Sequence, residues 1–290
     1  MISPTITDQL DDLTTEEQLQ RCTIKTGYCS LVFDIETGPA DIDTIKALSD
    51  TYNPPPPPGE FDPRSVKLGN LKDQVKITAK IEEAKQAHSL AVVSHAESML
   101  NDEQAYWNKI VEGAPLSPIL GRVLAIGFCD HHENVHTLAV GSIHDDDAEA
   151  EIIDQFWCSW YLPTVRAGHS LIGHYIGGFD IPFLMRRSWI LGVDVPPGVI
   201  EAGGRYLSKS FIDTKQIWAC GTFGGGSTVP ASLDVIGRAF GEGGKTEGMT
   251  GADFWKLYYS GEPEKVKQAI DYLRNDVVVN SRVARRMGVM

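Results

Sequence analysis

The stretch YCSLVFDIE, residues 28–36, predicts a buried β-strand that carries two acidic side chains. Its apolar and β-branched residues are typical of a strand in a protein core, and Gly38-Pro39 is predicted to end it. Because side chains on a strand alternate between its faces, Asp34 and Glu36 point the same way, roughly 6–7 Å apart.

Two carboxylates that project together from a buried strand repel each other and lose hydration unless a cation lies between them. Hard divalent ions prefer oxygen ligands, so Asp34 and Glu36 could supply half of a magnesium-type site. The same Asp-x-Glu pattern also fits a strand end with two solvated acids. The pair alone therefore indicates a metal site without establishing one.

A second acidic motif occurs in the stretch GHYIGGFDIPFL, residues 173–184. Asp180 is predicted to open a helix over 179–191, with Pro182 in the first turn, where a missing N–H group does no harm. Aspartate is also common at helix N-termini for reasons of capping alone. Asp180 is therefore either a further metal ligand or a helix-capping residue.

A third acidic motif lies on the terminal helix, which is predicted over 263–287. Tyr272 and Asp276 are four residues apart and share one face of that helix. An apolar stripe that includes Leu273 and Val277 is predicted to dock the helix on the sheet. Asp276 then lies near the buried edge, where an unpaired carboxylate is costly and a cation or basic partner is needed. The alternative is a surface aspartate beside a partly buried tyrosine.

The rest of the chain predicts an α/β fold. Further strands and helices are predicted over 121–130, 134–141, 145–161, 170–173, 231–240 and 250–260. Residues 1–27 are polar and predict an N-terminal arm. The main domain is predicted to span 28–290, interrupted at about 50–118 by a mostly helical insertion that contains the proline run 54–58.

The charge of the chain limits how it can bind nucleic acid. A formal net charge of −13 argues against sequence-independent coating of DNA. Cations held by carboxylates can still attract phosphate, so weak, local binding of a nucleic-acid end is compatible with that charge. Between Arg64 and Lys85, six basic side chains accompany three acidic ones. This basic stretch either contacts DNA or a protein, or is a solvated helix face.

Other features of the composition exclude several classes of protein. The five cysteines are scattered and include no Cys-x-x-Cys pair, which predicts neither a disulfide framework nor a zinc cluster. No apolar run approaches the roughly 20 residues of a membrane span, so no membrane partner is expected. The acidic N-terminus does not look like a secretory signal. We therefore expect a cytoplasmic protein, in a bacterium or in a phage-infected host cell.

Three segments, FDIETG (33–38), GHxIxxFDxPFL (173–184) and YxxxD (272–276), occur in the order of the exonuclease motifs of the DEDD superfamily and resemble them. The tyrosine resembles that of the DEDDy branch. Within that branch the chain is similar to the proofreading exonuclease domain of family B DNA polymerases and its stand-alone phage and bacterial relatives. The resemblance covers 28–38 and about 121–288. It implies a ribonuclease H-like mixed sheet flanked by helices.

The resemblance also implies a 3′-5′ exonuclease reaction with two divalent cations, Mg²⁺ or Mn²⁺, which lower the pKa of water and relieve charge on the phosphate. It assigns Asp34 to bridge the two ions, and Glu36 and Asp276 to the ion that activates water. Asp180 is assigned to the second ion, and Tyr272 to orienting the attacking water.

For substrate binding, the resemblance implies that the backbone at Thr37 and Gly38 and the ring of Phe179 pack against the terminal nucleotide. The second motif usually carries asparagine five residues before its aspartate, and this chain has Tyr175 there. The implied partners are the 3′ end of single-stranded DNA and a DNA polymerase or another replication protein, with a role in proofreading. Two alternatives are an exoribonuclease with the same site and a non-catalytic nucleic-acid-binding or scaffolding module. The presence of all four acids and the tyrosine favours an enzyme.

Overall fold

The chain folds into two compact units in the computed structural model. The first unit comprises the chain up to Asp41 together with Ala114–Met290, and the second comprises Ile42–Gly113. The first unit therefore contains every residue that was predicted for the site. The predicted arm 1–27 lies outside the described residues. Those residues are 30–70, 72–200, 209–220, 232–244 and 249–290.

One mixed sheet, with the strand order β3-β2-β1-β4-β5, forms the centre of the described part of the first unit. The central strand β1 pairs antiparallel with β2 on one side and parallel with β4 on the other. β3 is antiparallel to β2, and β5 is parallel to β4. The strands are β1 (Leu31–Pro39), β2 (Gly121–Cys129), β3 (Val135–Ala139), β4 (Leu171–Gly173) and β5 (Phe211–Asp213).

Helices lie between and after these strands in the chain, so the prediction of an α/β fold with a mixed sheet and flanking helices is confirmed. The helices of the second unit are α1 (Ile42–Leu48) and α2 (Gln74–Gly113). Where the first unit is described, its α-helices are α3 (Asp146–Gln155), α4 (Leu162–Arg166), α5 (Asp180–Leu191), α6 (Thr214–Trp218), α7 (Leu233–Phe240), α8 (Gly251–Tyr259) and α9 (Pro263–Arg286), and a π-helix, Phe156–Tyr161, joins α3 to α4. Among the described residues, no helix combines the length and the apolar character that crossing a bilayer requires.

The terminal helix α9 lies directly against β2, so closely that only glycine fits beneath it. A Cβ atom at Gly127 would lie 2.9 Å from Leu273 Cγ and 3.2 Å from Val277 Cγ1. Both of these α9 side chains are fully buried. Gly127 is also the cross-strand partner of Asp34. The close contact of α9 with the sheet therefore brings Asp276, one residue before Val277, next to Asp34.

The strand β1 ends at Pro39, as the Gly38-Pro39 pair predicts, but Gly38 and Pro39 are themselves paired with β2, so the strand extends beyond its predicted end at 36. Pro39 is paired with Gly121 of β2. On the other side of β1, β4 pairs only with Leu31 and Val32. Proline is tolerated in a strand where no neighbour needs its missing N–H group, and the second half of β1 has a strand on one side only.

The second unit is organised along α2, a helix of 40 residues. The chain before it, which includes the proline run 54–58, forms neither helix nor strand between 50 and 62. Two hydrogen bonds attach this segment to α2. The Tyr106 hydroxyl donates to the carbonyl of Asp50 at 2.8 Å, and His88 Nε2 lies 2.7 Å from the carbonyl oxygen of Gly59.

Candidate active site

Three carboxylates from β1 and α9 lie close enough to share a cation. Asp34, Glu36 and Asp276 each offer an oxygen atom, and these atoms all lie within 4.8 Å of one another. Glu36 and Asp276 are 7% and 3% exposed, and Asp34 is half-buried. Carboxylates that lie this close together with so little exposure to solvent are stable only if protons or a cation offset their charges.

The fourth acid, Asp180, adjoins this cluster from the start of α5. Its Oδ1 accepts a hydrogen bond from the backbone N–H of Ile35 at 3.2 Å, and its side chain is hydrogen-bonded to that of Asp34. Burial, with a smaller contribution from the negative charge of Asp213, raises the pKa of Asp180 to about 7, although these hydrogen bonds oppose the rise. The Asp180 carboxyl therefore retains its proton well above the pH at which an exposed aspartate ionises.

Tyr272 is buried one helical turn before Asp276 and is only 1% exposed. Its backbone position on α9 is fixed by the same contact that seats Leu273 against Gly127. Residues four apart on a helix share a face, so the phenol ring and the Asp276 carboxylate lie on the side of α9 that faces the sheet.

The available ligand atoms suit a hard divalent cation. The group of three offers carboxylate oxygens alone, which is the donor type that Mg²⁺ and Mn²⁺ prefer. The start of α8 also lies nearby, because a Cβ atom at Gly251 would be 3.9 Å from Glu36 Oε2. The N-terminal end of a helix carries partial positive charge, which stabilises a neighbouring carboxylate. Asp34, Glu36 and Asp276 could therefore hold a metal ion, with Asp180 next to them.

The residues predicted to contact substrate have different surroundings. Thr37 is buried beside an irregularity in the β1–β2 register, and its hydroxyl donates to the carbonyl of Pro115 at 2.7 Å. Gly38 is tightly packed, since a Cβ atom there would lie 2.6 Å from Leu124 Cδ1. Phe179 is half-buried immediately before Asp180. The Phe179 ring is thus more accessible to a ligand than either Thr37 or Gly38.

Sequence reasoning missed the part that Asp213 plays in this region. Asp213 ends β5, and its carboxylate accepts hydrogen bonds from the backbone N–H groups of Tyr175 at 2.9 Å and Gly177 at 3.2 Å. It also accepts from the N–H of Lys215 at 2.9 Å and so caps α6. This single buried carboxylate fixes the loop between β4 and α5, and thereby the position of Asp180. The sign available in the sequence is that the segment FIDT, residues 211–214, resembles the stand-alone relatives of the family B exonuclease domain.

Comparison with known protein families gives a match over most of the first unit. A protein-family model described as "Predicted 3′-5′ exonuclease related to the exonuclease domain of PolB" matches residues 116–288. That range includes Asp180, Tyr272 and Asp276, whereas β1 precedes it.

One solved structure with a similar fold is that of the family B DNA polymerase from the hyperthermophilic archaeon Pyrobaculum calidifontis. The similarity covers 61% of this chain with 17% sequence identity and a TM-score of 0.44. It spans 23% of the polymerase chain. No curated protein matches this chain.

Proposed function

Because this chain belongs to the family of predicted 3′-5′ exonucleases related to the exonuclease domain of PolB, we propose that it removes nucleotides from the 3′ end of single-stranded DNA. We propose further that it does so with two divalent cations, Mg²⁺ or Mn²⁺, and serves as a proofreading activity for a DNA polymerase. The observation that carries the proposal is the cluster of Asp34, Glu36 and Asp276 oxygens within 4.8 Å of one another. A binding module has no need of such a buried and mutually repelling group.

The contacts of the acids support the roles proposed for them. An Asp34 oxygen lies within 4.8 Å of oxygens of Glu36 and Asp276, and the Asp34 side chain is also hydrogen-bonded to that of Asp180. It is therefore the residue suited to contribute to both cation positions, with Glu36 and Asp276 at one and Asp180 at the other. Bound cations would supply a deprotonated water at neutral pH and would offset charge on the phosphate and the leaving oxygen. Tyr272 would donate a hydrogen bond that holds the attacking water in line.

Incubation with 5′-labelled single-stranded DNA or RNA tests the proposal directly. With Mg²⁺ or Mn²⁺ we expect a ladder of products shortened from the 3′ end of the DNA, and a chelator should abolish it. A ladder from RNA alone would identify an exoribonuclease instead. Persistence of the activity in chelator would contradict the metal-dependent mechanism, and the absence of any ladder would favour a non-catalytic binding module.

Metal binding is also expected to stabilise the fold in a way that depends on pH. The pKa of Asp180 is raised from 3.8 to about 7, so between these pH values the folded chain binds more protons than the unfolded chain. The contribution of Asp180 to the free energy of unfolding therefore falls as the pH rises from about 4 to 7. Above pH 7 the buried, ionised carboxylate destabilises the fold to its full extent. Bound cations offset this destabilisation because they neutralise the carboxylate charge. They bind only to ionised carboxylates, so their effect is larger at higher pH. At a hundred times the dissociation constant, Mn²⁺ should raise the melting temperature by about 5–10 °C.

Thermal unfolding at pH 8 and at pH 5.5 measures this effect, with sodium chloride at matched ionic strength as the control. The shift caused by Mn²⁺ should be clearly larger at pH 8. An equal shift at both pH values would show that no group with a raised pKa takes part in binding the metal.

A further inference from the structure

Thr214 is a fully buried residue at the start of α6. Its Oγ1 lies within hydrogen-bonding distance of three polar groups. These are the carbonyl oxygen of Gly173 at 3.2 Å, Oδ1 of Asn280 at 3.3 Å and Nδ1 of His174 at 3.0 Å. Because a hydroxyl carries one proton and two lone pairs, it can donate to either of the two oxygens and accept from the His174 ring when Nδ1 carries hydrogen.

The partners of this hydroxyl belong to two different parts of the candidate active site. Gly173 ends β4, and the loop that follows it leads to Asp180 at the start of α5. Asn280 is a buried residue of α9 that lies four residues after Asp276, so the two side chains share a face of that helix. Thr214 therefore joins the loop that leads to Asp180 to the helix that carries Asp276.

Gly173 is also packed tightly against β1. A Cβ atom at this position would lie 3.0 Å from the carbonyl oxygen of Phe33 and 2.1 Å from Ile176 Cγ2, so only glycine fits. Phe33 immediately precedes Asp34 on β1. The carbonyl group that Thr214 contacts therefore belongs to a residue packed beside the strand that supplies the first acid of the cluster.

The adjacent Asp213 has a different task. Its carboxylate accepts from two backbone N–H groups of the loop after β4 and so fixes the shape of that loop. The Thr214 hydroxyl instead contacts the end of β4 and α9 at once. The ligands of a metal ion must be held within about 0.5 Å of their productive positions. A contact that fixes the loop against α9 therefore bears directly on the metal site.

We propose that Thr214 is a positioning residue for the metal site: its hydroxyl sets the separation between the Asp180 and Asp276 carboxylates by joining the loop after β4 to α9. Thr214 is not itself a ligand in this proposal, and it acts through the backbone of Gly173 and the side chain of Asn280. The inference rests on the proposed function and concerns how the acids are held.

Isothermal titration calorimetry with Mn²⁺, in the absence of DNA, tests this role without cleavage. Thr214→Val keeps the shape of the side chain and removes the hydroxyl. It should raise the dissociation constant for Mn²⁺ about tenfold, the lower end of the range for groups that orient metal ligands. Thr214→Ser keeps the hydroxyl and should bind Mn²⁺ like the unaltered protein. Melting temperatures in chelator identify any variant that fails to fold.

Ser188→Ala is the matched control, because it removes a buried hydroxyl with similar partners. Ser188 Oγ donates to the carbonyl of Leu184 at 2.7 Å and accepts from Trp157 Nε1 at 2.9 Å. It lies eight residues after Asp180 on α5, about 12 Å along the helix axis. Its loss should lower the melting temperature and leave the dissociation constant for Mn²⁺ unchanged. A merely structural role of Thr214 predicts that same result for Thr214→Val.

Asn280→Leu removes the α9 side of the link and should also weaken Mn²⁺ binding. If both residues act through one link, the double variant should bind Mn²⁺ no more weakly than the weaker single variant, because residues that act together are not additive. Additive losses, or normal Mn²⁺ binding by Thr214→Val, overturn the inference. Should Thr214→Val fail to fold, normal Mn²⁺ binding by Asn280→Leu overturns it.

The metal-binding and cleavage assays separate the two proposals. If DNA is digested but Thr214→Val binds Mn²⁺ normally, the proposed function stands and the positioning role fails. If nothing is digested but the affinity for Mn²⁺ depends on Thr214 and Asn280, the positioning role stands and the exonuclease proposal fails. If the unaltered protein binds no Mn²⁺, both proposals fail.

Discussion

Replacement of Asp34 by asparagine is expected to lower the metal-dependent release of nucleotides by roughly a hundredfold to a thousandfold or more, the scale at which loss of one group that stabilises developing charge acts. Asp34 is the acid that contacts both halves of the site, because its oxygen groups with those of Glu36 and Asp276 and its side chain is hydrogen-bonded to Asp180. Asparagine keeps the shape of the side chain and removes the charge that a cation needs.

The same substitution should not weaken the fold in chelator. Asp34→Asn removes one of several mutually repelling carboxylates, so its melting temperature without metal should equal or exceed that of the unaltered protein, and the stabilisation by Mn²⁺ should largely disappear. Asp271→Asn is the matched control, since Asp271 is exposed on α9 one residue before Tyr272. Full activity of Asp34→Asn, in a preparation free of contaminating nuclease, would defeat the site assignment.

The largest effect on stability is expected from Arg187→Met. Arg187 on α5 donates from Nε and Nη2 to the Glu149 carboxylate of α3, at 2.8 and 2.7 Å. Glu149 also accepts from the N–H of Val123 in β2 at 2.8 Å, and its side chain is completely buried. Removal of one partner leaves a buried charge without its main counter-charge, which costs about 3–5 kcal/mol. Equilibrium unfolding in urea measures this loss.

Two further variants separate the buried pair from ion pairs in general. Arg238→Met removes an exposed pair with Asp234 and should cost less than about 1 kcal/mol. Adding Glu149→Gln to Arg187→Met should restore part of the lost stability, because the buried charge is then absent and an oxygen remains for the Val123 N–H. A loss no larger for Arg187→Met than for Arg238→Met would contradict this account.

The parts of the site that depend on local periodicity could be predicted from the sequence. The alternation of a strand indicates that Asp34 and Glu36 share a face, and the helical repeat does the same for Tyr272 and Asp276. In the structure, carboxylate oxygens of Asp34, Glu36 and Asp276 lie within 4.8 Å of one another. Their catalytic roles stay predictions.

What could not be predicted depends on contacts between distant residues. β5 has three residues, too few to display an alternating pattern. Asp213 acts on N–H groups that lie 36 and 38 residues earlier in the chain, and no local rule gives that pairing. The backbone of Tyr175, with a φ of 68°, is held in that conformation by one of the same contacts. The continuation of β1 beyond residue 36 follows from which strands flank it, and the sequence of β1 alone does not contain that information.

The docking of α9 on β2 also determines when the site can exist during synthesis of the chain. Asp34 and Glu36 on β1 are translated long before the third carboxylate of their cluster, Asp276 on α9. Until α9 has emerged and packed over Gly127, the three carboxylates cannot meet. A chain translated only as far as β5 therefore lacks the acidic cluster, and the packing of α9 on β2 is the step that assembles it.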